Sequence, residues 1–190
     1  KMILRRPEFL GKVTDFGARK GTANHVFMQF ADFDFVEQNG VEAEAMRLLR
    51  IKMITEEQYE LLSYEHLKAF FDSLLYREMR SAKRLYREKR FSLSVEAASL
   101  GLPELKNAKD EKVLIQGVID CFFENPDKTY TLVDYKTDFL PEEGGERILI
   151  ERHEKQVKFY CRAVEAMTGK KVARAVLYSF SLDKSVDIAL

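Results

Sequence analysis

The feature that most constrains the fold of this chain is a pair of apolar segments joined by a short turn. The first segment, VLIQGVIDCFFE, spans residues 113–124, and the second, TYTLVDYKT, spans residues 129–137. Between them lies NPDK, in which proline and aspartate both favour chain reversal. Strand-like segments separated by such a turn are typical of a β-hairpin. The sequence therefore predicts an antiparallel pair of strands over these residues.

This hairpin would bring two aspartates together. Facing residues in an antiparallel pair share one midpoint, and the midpoint of Asp120 and Asp134 is Asp127, inside the turn. Directly opposed side chains lie ~5 Å apart. Because side chains alternate between the faces of a strand, Lys136 should lie on the face of Asp134, ~7 Å further along. The pattern predicts two carboxylates and one ammonium group on one face.

Two facing carboxylates repel each other unless a positive charge lies between them. Mg²⁺ suits this position, with Mn²⁺ as a substitute, because both prefer oxygen ligands and keep positions for water and phosphate. Lys136 could then stabilise developing negative charge or orient the attacking water. We interpret the three side chains as a candidate site for metal-dependent phosphodiester hydrolysis. The alternative is that both aspartates are solvated on an open sheet face and that Lys136 pairs with one of them.

Other residues could belong to the same site. Gln156 and Tyr160 are one turn apart in a predicted helix, so both can face one site, although chance alone can produce such a pair. His25 lies in the first turn of an early helix that we expect Thr22 to cap, and it could supply an imidazole ligand. The alternative for a lone histidine there is a surface position. Gly117, within the first strand, would permit close backbone approach or mark a bulge.

The rest of the sequence predicts a helical first half packed on an α/β second half. Residues 1–21 are basic and are expected to be irregular. The helical pattern extends from about Val41 to Arg90, with one amphipathic segment in VEAEAMRLLR and another that starts at Thr55 and continues through YREM. GLPELKNAKDE is an expected loop. The other predicted elements are a strand in FSLSVEA, a helix from Glu146 to Met167 that Gly169 ends, and strands in KVARAVLYSF and SVDIAL.

The strongest local concentration of positive charge is YREMRSAKRLYREKR, residues 76–90. Because the formal net charge of the chain is zero, contact with a phosphate backbone would depend on a local patch. If the stretch is helical, three- and four-residue spacings place five cations on one face. We interpret this face as a candidate surface for DNA or a partner domain, the alternative being a solvated helix end. Its members are Arg77, Arg80, Lys83, Arg84 and Arg87.

Composition excludes several classes of site. No apolar run reaches the ~18 residues of a membrane span. Only two cysteines occur, Cys121 and Cys161, so a four-cysteine iron–sulfur or zinc cluster cannot form within the chain. No GxxxxGK[ST] motif is present, and we expect no ATP site. The 190 residues, 46% of them hydrophobic, suffice for one core, which predicts one domain over residues 1–190. Since the first residue is Lys1 and not methionine, we expect the chain to be a piece of a longer protein.

The motifs H…GVID…DYKT…QxxxY resemble the RecB-type branch of the PD-(D/E)XK nuclease superfamily. More narrowly, the chain resembles the C-terminal nuclease domain of the AddA/RexA subunit of bacterial AddAB-type (RecBCD-like) helicase–nucleases. Two departures are Arg90, where proline is usual, and His153, where tyrosine is common. The matching stretches keep the family's order and span nearly the whole chain: RRPEFL, KGTANHVFMQF, REKRFSL, LIQGVIDCFFE, LVDYKTD, QVKFYCRAVEAMTGKKV and AVLYSF.

The resemblance implies an α/β fold with a restriction-endonuclease-like core, a mixed sheet flanked by helices, and a helical N-terminal half. It implies that Lys136 is the catalytic lysine. Gln156 and Tyr160 would support the site or hold DNA, and Glu88 matches a family glutamate whose role is open. The implied metal ligands are His25, Asp120, Asp134 and the backbone carbonyl of Tyr135.

The resemblance also implies a function and partners. The domain would be a Mg²⁺-dependent exonuclease or endonuclease for single-stranded DNA, acting in the bacterial cytoplasm in double-strand-break processing and recombinational repair. The helicase region of the same polypeptide would supply the strands, and an AddB/RexB-type subunit would be the partner. AddB-type subunits carry a four-cysteine iron–sulfur cluster, which this chain cannot form. Two alternatives remain: a free-standing repair or restriction-type nuclease of the same superfamily, and a degenerate module that only binds DNA or a partner.

Overall fold

The computed structural model describes residues 15–96 and 112–190, with residues 15–20 as backbone only. The stretch RRPEFL and the expected loop GLPELKNAKDE therefore lie outside the described residues. No helix within the described ranges is long and apolar enough to cross a membrane.

Residues 15–81 fold into six helices, as the predicted helical first half requires. Thr55 caps the fourth helix in a capping box with Gln58, which confirms the expected start there. The helices are α1 (Asp15–Phe30), α2 (Phe33–Asn39), α3 (Val41–Arg50), α4 (Glu56–Leu61), α5 (Tyr64–Asp72) and α6 (Leu74–Ser81).

Three predictions about residues 15–81 are wrong. Thr22 is not a cap, because α1 already begins at Asp15, and residues 15–21 are helical rather than irregular. The helix expected to continue from Thr55 is instead divided into α4, α5 and α6. One break is at Ser73, whose hydroxyl accepts a hydrogen bond from the Tyr76 amide at 3.1 Å and so caps a new helix. Serine side chains favour such caps because they compete with helical hydrogen bonds.

The second half of the described chain forms a five-stranded sheet crossed by one long helix. Strands follow one another across the sheet in chain order, and only the third and fourth strands are parallel, since the helix connects them. This mixed sheet with helices on both faces confirms the predicted fold class. The elements are β1 (Leu85–Glu96), β2 (Lys112–Glu124), β3 (Tyr130–Lys136), α7 (Gly145–Thr168), β4 (Val172–Ser179) and β5 (Lys184–Ile188).

The prediction of helix up to Arg90 is wrong, because β1 begins at Leu85. The beginning of this strand is stabilised by non-local contacts with β2. The ring of Tyr86 stacks on Phe122 with centroids 4.7 Å apart, and Leu85 pairs with Phe123. Such cross-strand packing outweighs local helix propensity.

The sheet separates two hydrophobic clusters. The first lies between the sheet and α1–α6 and is aromatic, with the Phe70 ring in edge contact with Tyr135 and Tyr178 at 5.4 and 4.8 Å. The second lies between the sheet and α7 and is mainly aliphatic, including Leu132 and Val157. Hydrophobic burial on both faces fixes the sheet between its helical layers.

Candidate active site

The β2–β3 hairpin has the predicted register. Cys121 pairs with Val133, so the same register places Asp120 opposite Asp134. The turn between the strands is closed by the Asn125 amide, which donates to the Thr129 carbonyl at 2.8 Å. Asp134 is 3% exposed. The structure therefore brings the two carboxylates together in a largely buried position.

Lys136 lies on the same face, as alternation predicts. Its ammonium nitrogen is 2.6 Å from Asp134 Oδ2 and donates a hydrogen bond to Gln156 Oε1 at 2.9 Å. The Gln156 amide nitrogen in turn donates to the Tyr160 hydroxyl at 2.9 Å. Burial alone would lower the pKa of Lys136, but the adjacent Asp134 carboxylate raises it above its usual value. Lys136 is thus a protonated amine held by α7.

The Asp120 side chain, from β2, is hydrogen-bonded to the backbone of β3. Its Oδ2 accepts a hydrogen bond from the Tyr135 amide at 2.8 Å. Burial, and then the negative charge of Asp134, raise the pKa of Asp120 well above its usual value. Two buried carboxylates this close disfavour each other's ionised form.

His25 comes from the interior of α1, not from its first turn. Its Nδ1 atom is 4.0 Å from Asp120 Oδ2, and 37% of its side-chain surface is exposed. Surrounding protein lowers the pKa of the imidazole by desolvation, against the charge of Asp134 and a hydrogen bond with the Tyr135 backbone. A neutral imidazole is the form that binds metal.

A glycine that sequence reasoning overlooks brings α1 close to the site. A Cβ atom added at Gly21 would lie 2.3 Å from the Thr137 Oγ1 atom and 3.2 Å from its Cβ. Gly21 therefore allows α1 to approach the end of β3, one helical turn before His25. The available signal is the lone glycine in KGTANH, since an interior helical glycine often has a packing reason.

Glu88 marks an irregular point in β1. The pairs Arg87–Cys121 and Lys89–Ile119 flank it, so Glu88 is opposite Asp120 in register. Its φ angle is +49°, a region that non-glycine residues rarely adopt. Burial raises the pKa of its carboxyl. Glu88 thus adds a third carboxyl group near Asp120 at a strained backbone position.

Side-chain alternation shifts at this same point. Ile119 packs in the cluster under α7, whereas Cys121, two residues later, packs in the cluster under α1–α6. Phe91 and Leu85 of β1 are divided in the same way. Counting alternate residues from the start of β2 would therefore assign Asp120 to the wrong face.

Gly117 provides a close approach rather than a bulge. It pairs with Phe91 in continuous register, and a Cβ added at Gly117 would lie 2.7 Å from the Phe91 ring. The same ring is in edge contact with Tyr160 at 5.7 Å. Of the two sequence-based interpretations, the close approach is confirmed, and it supports the position of Tyr160.

The predicted five-cation helix face is wrong. Arg77 and Arg80 lie in α6, which ends at Ser81, whereas Lys83 and Arg84 follow the helix and Arg87 lies in β1. No single helix therefore carries all of them.

All four arginines of the set have structural contacts instead: Arg77 donates to the Asp72 carbonyl at 3.2 Å, and Arg84 lies 3.8 Å from Glu124. Arg80 pairs with Asp34 and with Glu37, the latter at 2.7 Å. The Arg87 guanidinium donates to the Ala31 carbonyl at 2.8 Å and to the Met28 carbonyl, 4.0 Å from the Phe33 ring centroid. Arg87 thus fixes the C-terminal end of α1 to β1.

The donor set suits a divalent cation. Among the described residues, Asp134 Oδ2 is a buried oxygen without an aligned hydrogen-bond donor, although the Lys136 ammonium lies beside it. Carboxylate oxygens and a neutral imidazole are appropriate ligands for Mg²⁺ or Mn²⁺. Within residues 15–96 and 112–190 no three such side chains are already closed around one point. Binding would thus require small side-chain movements.

This fold and these residues define a class of protein. The family model described as PD-(D/E)XK nuclease superfamily matches residues 3–188. The chain therefore belongs to the PD-(D/E)XK nuclease superfamily, whose members generally use divalent metal ions.

Similar curated proteins indicate which group within this superfamily the chain resembles. The AddA subunit of the ATP-dependent helicase/nuclease of Bacillus licheniformis is 36% identical over 186 residues, or 94% of this chain. Its counterpart from Clostridium botulinum strain Loch Maree is 35% identical over 191 residues, or 99% of this chain. These matches confirm the resemblance to the AddA nuclease region. The chain spans about 15% of the length of these relatives.

One solved structure, that of SSO0001, aligns over 96% of this chain and 73% of that chain, with a TM-score of 0.41 and 14% identity. It is too distant to add to the assignment.

Proposed function

We propose that this chain is a single nuclease domain of a longer bacterial helicase–nuclease, and that it hydrolyses phosphodiester bonds of single-stranded DNA with Mg²⁺, or with Mn²⁺ as a substitute. This proposal rests on three charged side chains that lie close together in the structure: Asp120, Asp134 and Lys136. They occur in a chain that belongs to a nuclease superfamily and that is similar to helicase/nuclease subunits.

The metal ligands would be Asp120, Asp134, His25 and the backbone carbonyl of Tyr135. When bound, the cation would polarise the scissile phosphodiester and make its water ligand more acidic. A hydrogen bond from the Tyr135 amide fixes the Asp120 carboxylate in position. The lowered pKa of His25 favours the neutral imidazole, which is the form that binds metal.

Lys136 has a separate role. Because it is protonated, it cannot bind metal and instead acts on the phosphate, where negative charge develops. Its ammonium group is aimed by two partners, Asp134 and Gln156. Tyr160 fixes the Gln156 amide, so Gln156 and Tyr160 are positioning residues for Lys136.

The wider assignment rests on the relatives. They are named as subunits of an ATP-dependent helicase/nuclease, which supports a motor region in the same polypeptide that delivers single strands to this domain. An AddB/RexB-type subunit would complete the enzyme. We place its action in the bacterial cytoplasm, in double-strand-break processing and recombinational repair.

A cleavage assay tests the proposal. End-labelled single-stranded DNA and the matching duplex are incubated with the purified chain, with Mg²⁺ or with chelator. We expect Mg²⁺-dependent cutting of the single strand, slower cutting of the duplex, and none with chelator. An Asp134→Asn variant purified in parallel controls for contaminating nucleases. Equal cleavage by wild type and variant, or cleavage in chelator, would overturn the proposal.

A further inference from the structure

The loop between β3 and α7 displays an aromatic side chain beside the candidate site. Phe139 is 92% exposed, the largest exposure among the large hydrophobic residues that the structure describes. An exposed phenyl ring of this kind keeps its whole apolar surface in water. A ring so exposed is available to a binding partner.

The neighbours of Phe139 hold it in this position. On one side, the Asp138 carboxylate is 3.2 Å from Arg152 and 3.0 Å from His153, both on α7. Those contacts lower the pKa of Asp138 to about 2, and the hydrogen bond with His153 contributes most to this shift. On the other side, Leu140 is 4% exposed and belongs to the cluster under α7. Because both neighbours are anchored, the ring between them points outward.

Chain geometry places this ring near the site. Phe139 follows Lys136 by three residues, so their Cα atoms are at most ~11 Å apart. Arg152 is one turn before Gln156 on α7, and Lys155 directly precedes Gln156; both cations are exposed. A surface that combines an exposed aromatic ring with cations is typical of single-strand binding, where bases stack and phosphates meet positive charge.

We propose that Phe139 stacks on a nucleobase of the strand that is being cut, next to the phosphate at Lys136. The inference rests on the proposed function and adds a substrate-positioning residue to it. Stacking would favour single strands, since bases within a duplex already stack on each other. It would be tolerant of sequence, because every base has a π-face.

Binding measurements with two kinds of strand test this role. In chelator, so that nothing is cut, the affinity of wild type and Phe139→Ala is measured for an oligonucleotide and for an abasic strand of equal length. We expect Phe139→Ala to bind the normal strand about tenfold more weakly, which corresponds to about 1.4 kcal/mol. Binding of the abasic strand, and the dependence of affinity on salt, should not change, since no phosphate contact is lost. Leu74→Ala is the matched control, because Leu74 is 73% exposed on α6.

A spectroscopic test is also available. The chain contains no tryptophan, so Phe139→Trp introduces a sole indole, whose fluorescence should be quenched when the normal strand stacks on it. The abasic strand should leave it unquenched. Leu74→Trp should respond to neither strand.

The outcomes separate this inference from the proposed function. If wild type cuts DNA but Phe139→Ala binds both strands like wild type, or loses affinity for both equally, stacking is overturned and the nuclease assignment stands. If Phe139→Ala weakens only association with a helicase region or partner subunit, the ring is a protein contact and stacking is again overturned. If wild type neither binds nor cuts DNA, both proposals fail.

Discussion

The β2–β3 hairpin carries buried carboxylates at both of its ends, and their surroundings differ. At the turn end, Glu124 is 5% exposed and is surrounded by the side-chain nitrogens of Lys170, Lys128 and Arg84 at 3.1, 3.2 and 3.8 Å. Hydrogen bonds from Lys170 and Lys128 lower its pKa. At the other end, Asp120 and Asp134 share Lys136, and burial together with mutual repulsion raises the pKa of Asp120.

The difference is one of charge balance. Around Glu124, the cations among the described residues outnumber the carboxylate, so the cluster is satisfied by protein alone. At Asp120 and Asp134 the carboxylates outnumber the cation, and an excess buried charge destabilises the folded chain. Such an imbalance is typical of a functional site rather than a structural one. We infer that a divalent cation completes this site and that nothing further is needed at Glu124.

The largest effect should come from Asp120→Asn and Asp134→Asn. Each removes one negative charge that we propose as a metal ligand while keeping side-chain size, so we expect Mg²⁺-dependent cleavage to fall by several orders of magnitude, at least ~10³-fold. The remaining carboxylate and Lys136 balance each other, and circular dichroism should stay native. Kinetics under saturating DNA measures the loss. Near-wild-type cleavage by either variant would remove the metal-site assignment.

Lys136→Ala should have a smaller effect on cleavage and should not weaken metal binding. The loss of one charged group that stabilises the developing phosphate charge typically costs about 10²–10³-fold in rate. Calorimetric titration with Mn²⁺ should give a dissociation constant no larger than that of wild type, because the variant has lost a cation that competes for Asp134. If metal affinity falls as much as in an aspartate variant, Lys136 acts through the metal site and the separation of roles is wrong.

Glu124→Gln should affect stability but not chemistry. The variant loses charge-assisted hydrogen bonds to Lys128 and Lys170, whose side chains are 62% and 36% exposed, so solvent screens these contacts and the free energy of unfolding should fall only modestly. Urea unfolding measures this change. Cleavage per folded molecule should match wild type, and a reduced rate at unchanged stability would contradict the contrast between the two ends of the hairpin.

Gly21→Ala should have the smallest effect of these variants. It should lower metal affinity only through the position of His25. The added methyl would contact Thr137, a β-branched residue with restricted rotamers, and would displace α1 from the end of β3. We expect metal affinity to fall about tenfold, at the low end of the cost of losing support for one ligand. Ala23→Gly, elsewhere in α1, is a control for helix propensity. An unchanged affinity in Gly21→Ala would show that His25 does not depend on this approach.

Local pattern predicts the hairpin and the placement of its charged groups well. The symmetric NPDK turn fixes the register, and register alone brings Asp120 to Asp134. Lys136 follows from alternation within seven residues of one strand. These contacts are close in sequence, so few alternatives compete with them.

The features that local pattern does not predict depend on distant contacts. LYREK carries helix-favouring residues, and only pairing with β2 makes this segment a strand. The shift of alternation at Asp120 coincides in register with the positive φ angle of Glu88, which a glutamate does not signal. The charge of Arg87 is visible in the sequence and suggests a surface patch, whereas its partners are carbonyl groups of α1. Every residue has a backbone carbonyl, so the sequence does not show which carbonyls will accept a hydrogen bond from Arg87.

The most direct test of the excess-charge site is thermal unfolding of wild type and Asp120→Asn, with and without Mg²⁺. Mg²⁺ at a hundredfold excess over its dissociation constant should stabilise wild type by about 2.7 kcal/mol, which raises Tm by several degrees. Asp120→Asn should be at least as stable as wild type in chelator, because the repulsion is relieved, and Mg²⁺ should raise its Tm little. Glu124→Gln should keep the full Mg²⁺ increment. An equal increment in Asp120→Asn, or a large loss of its stability in chelator, would contradict the inference that a cation completes the site.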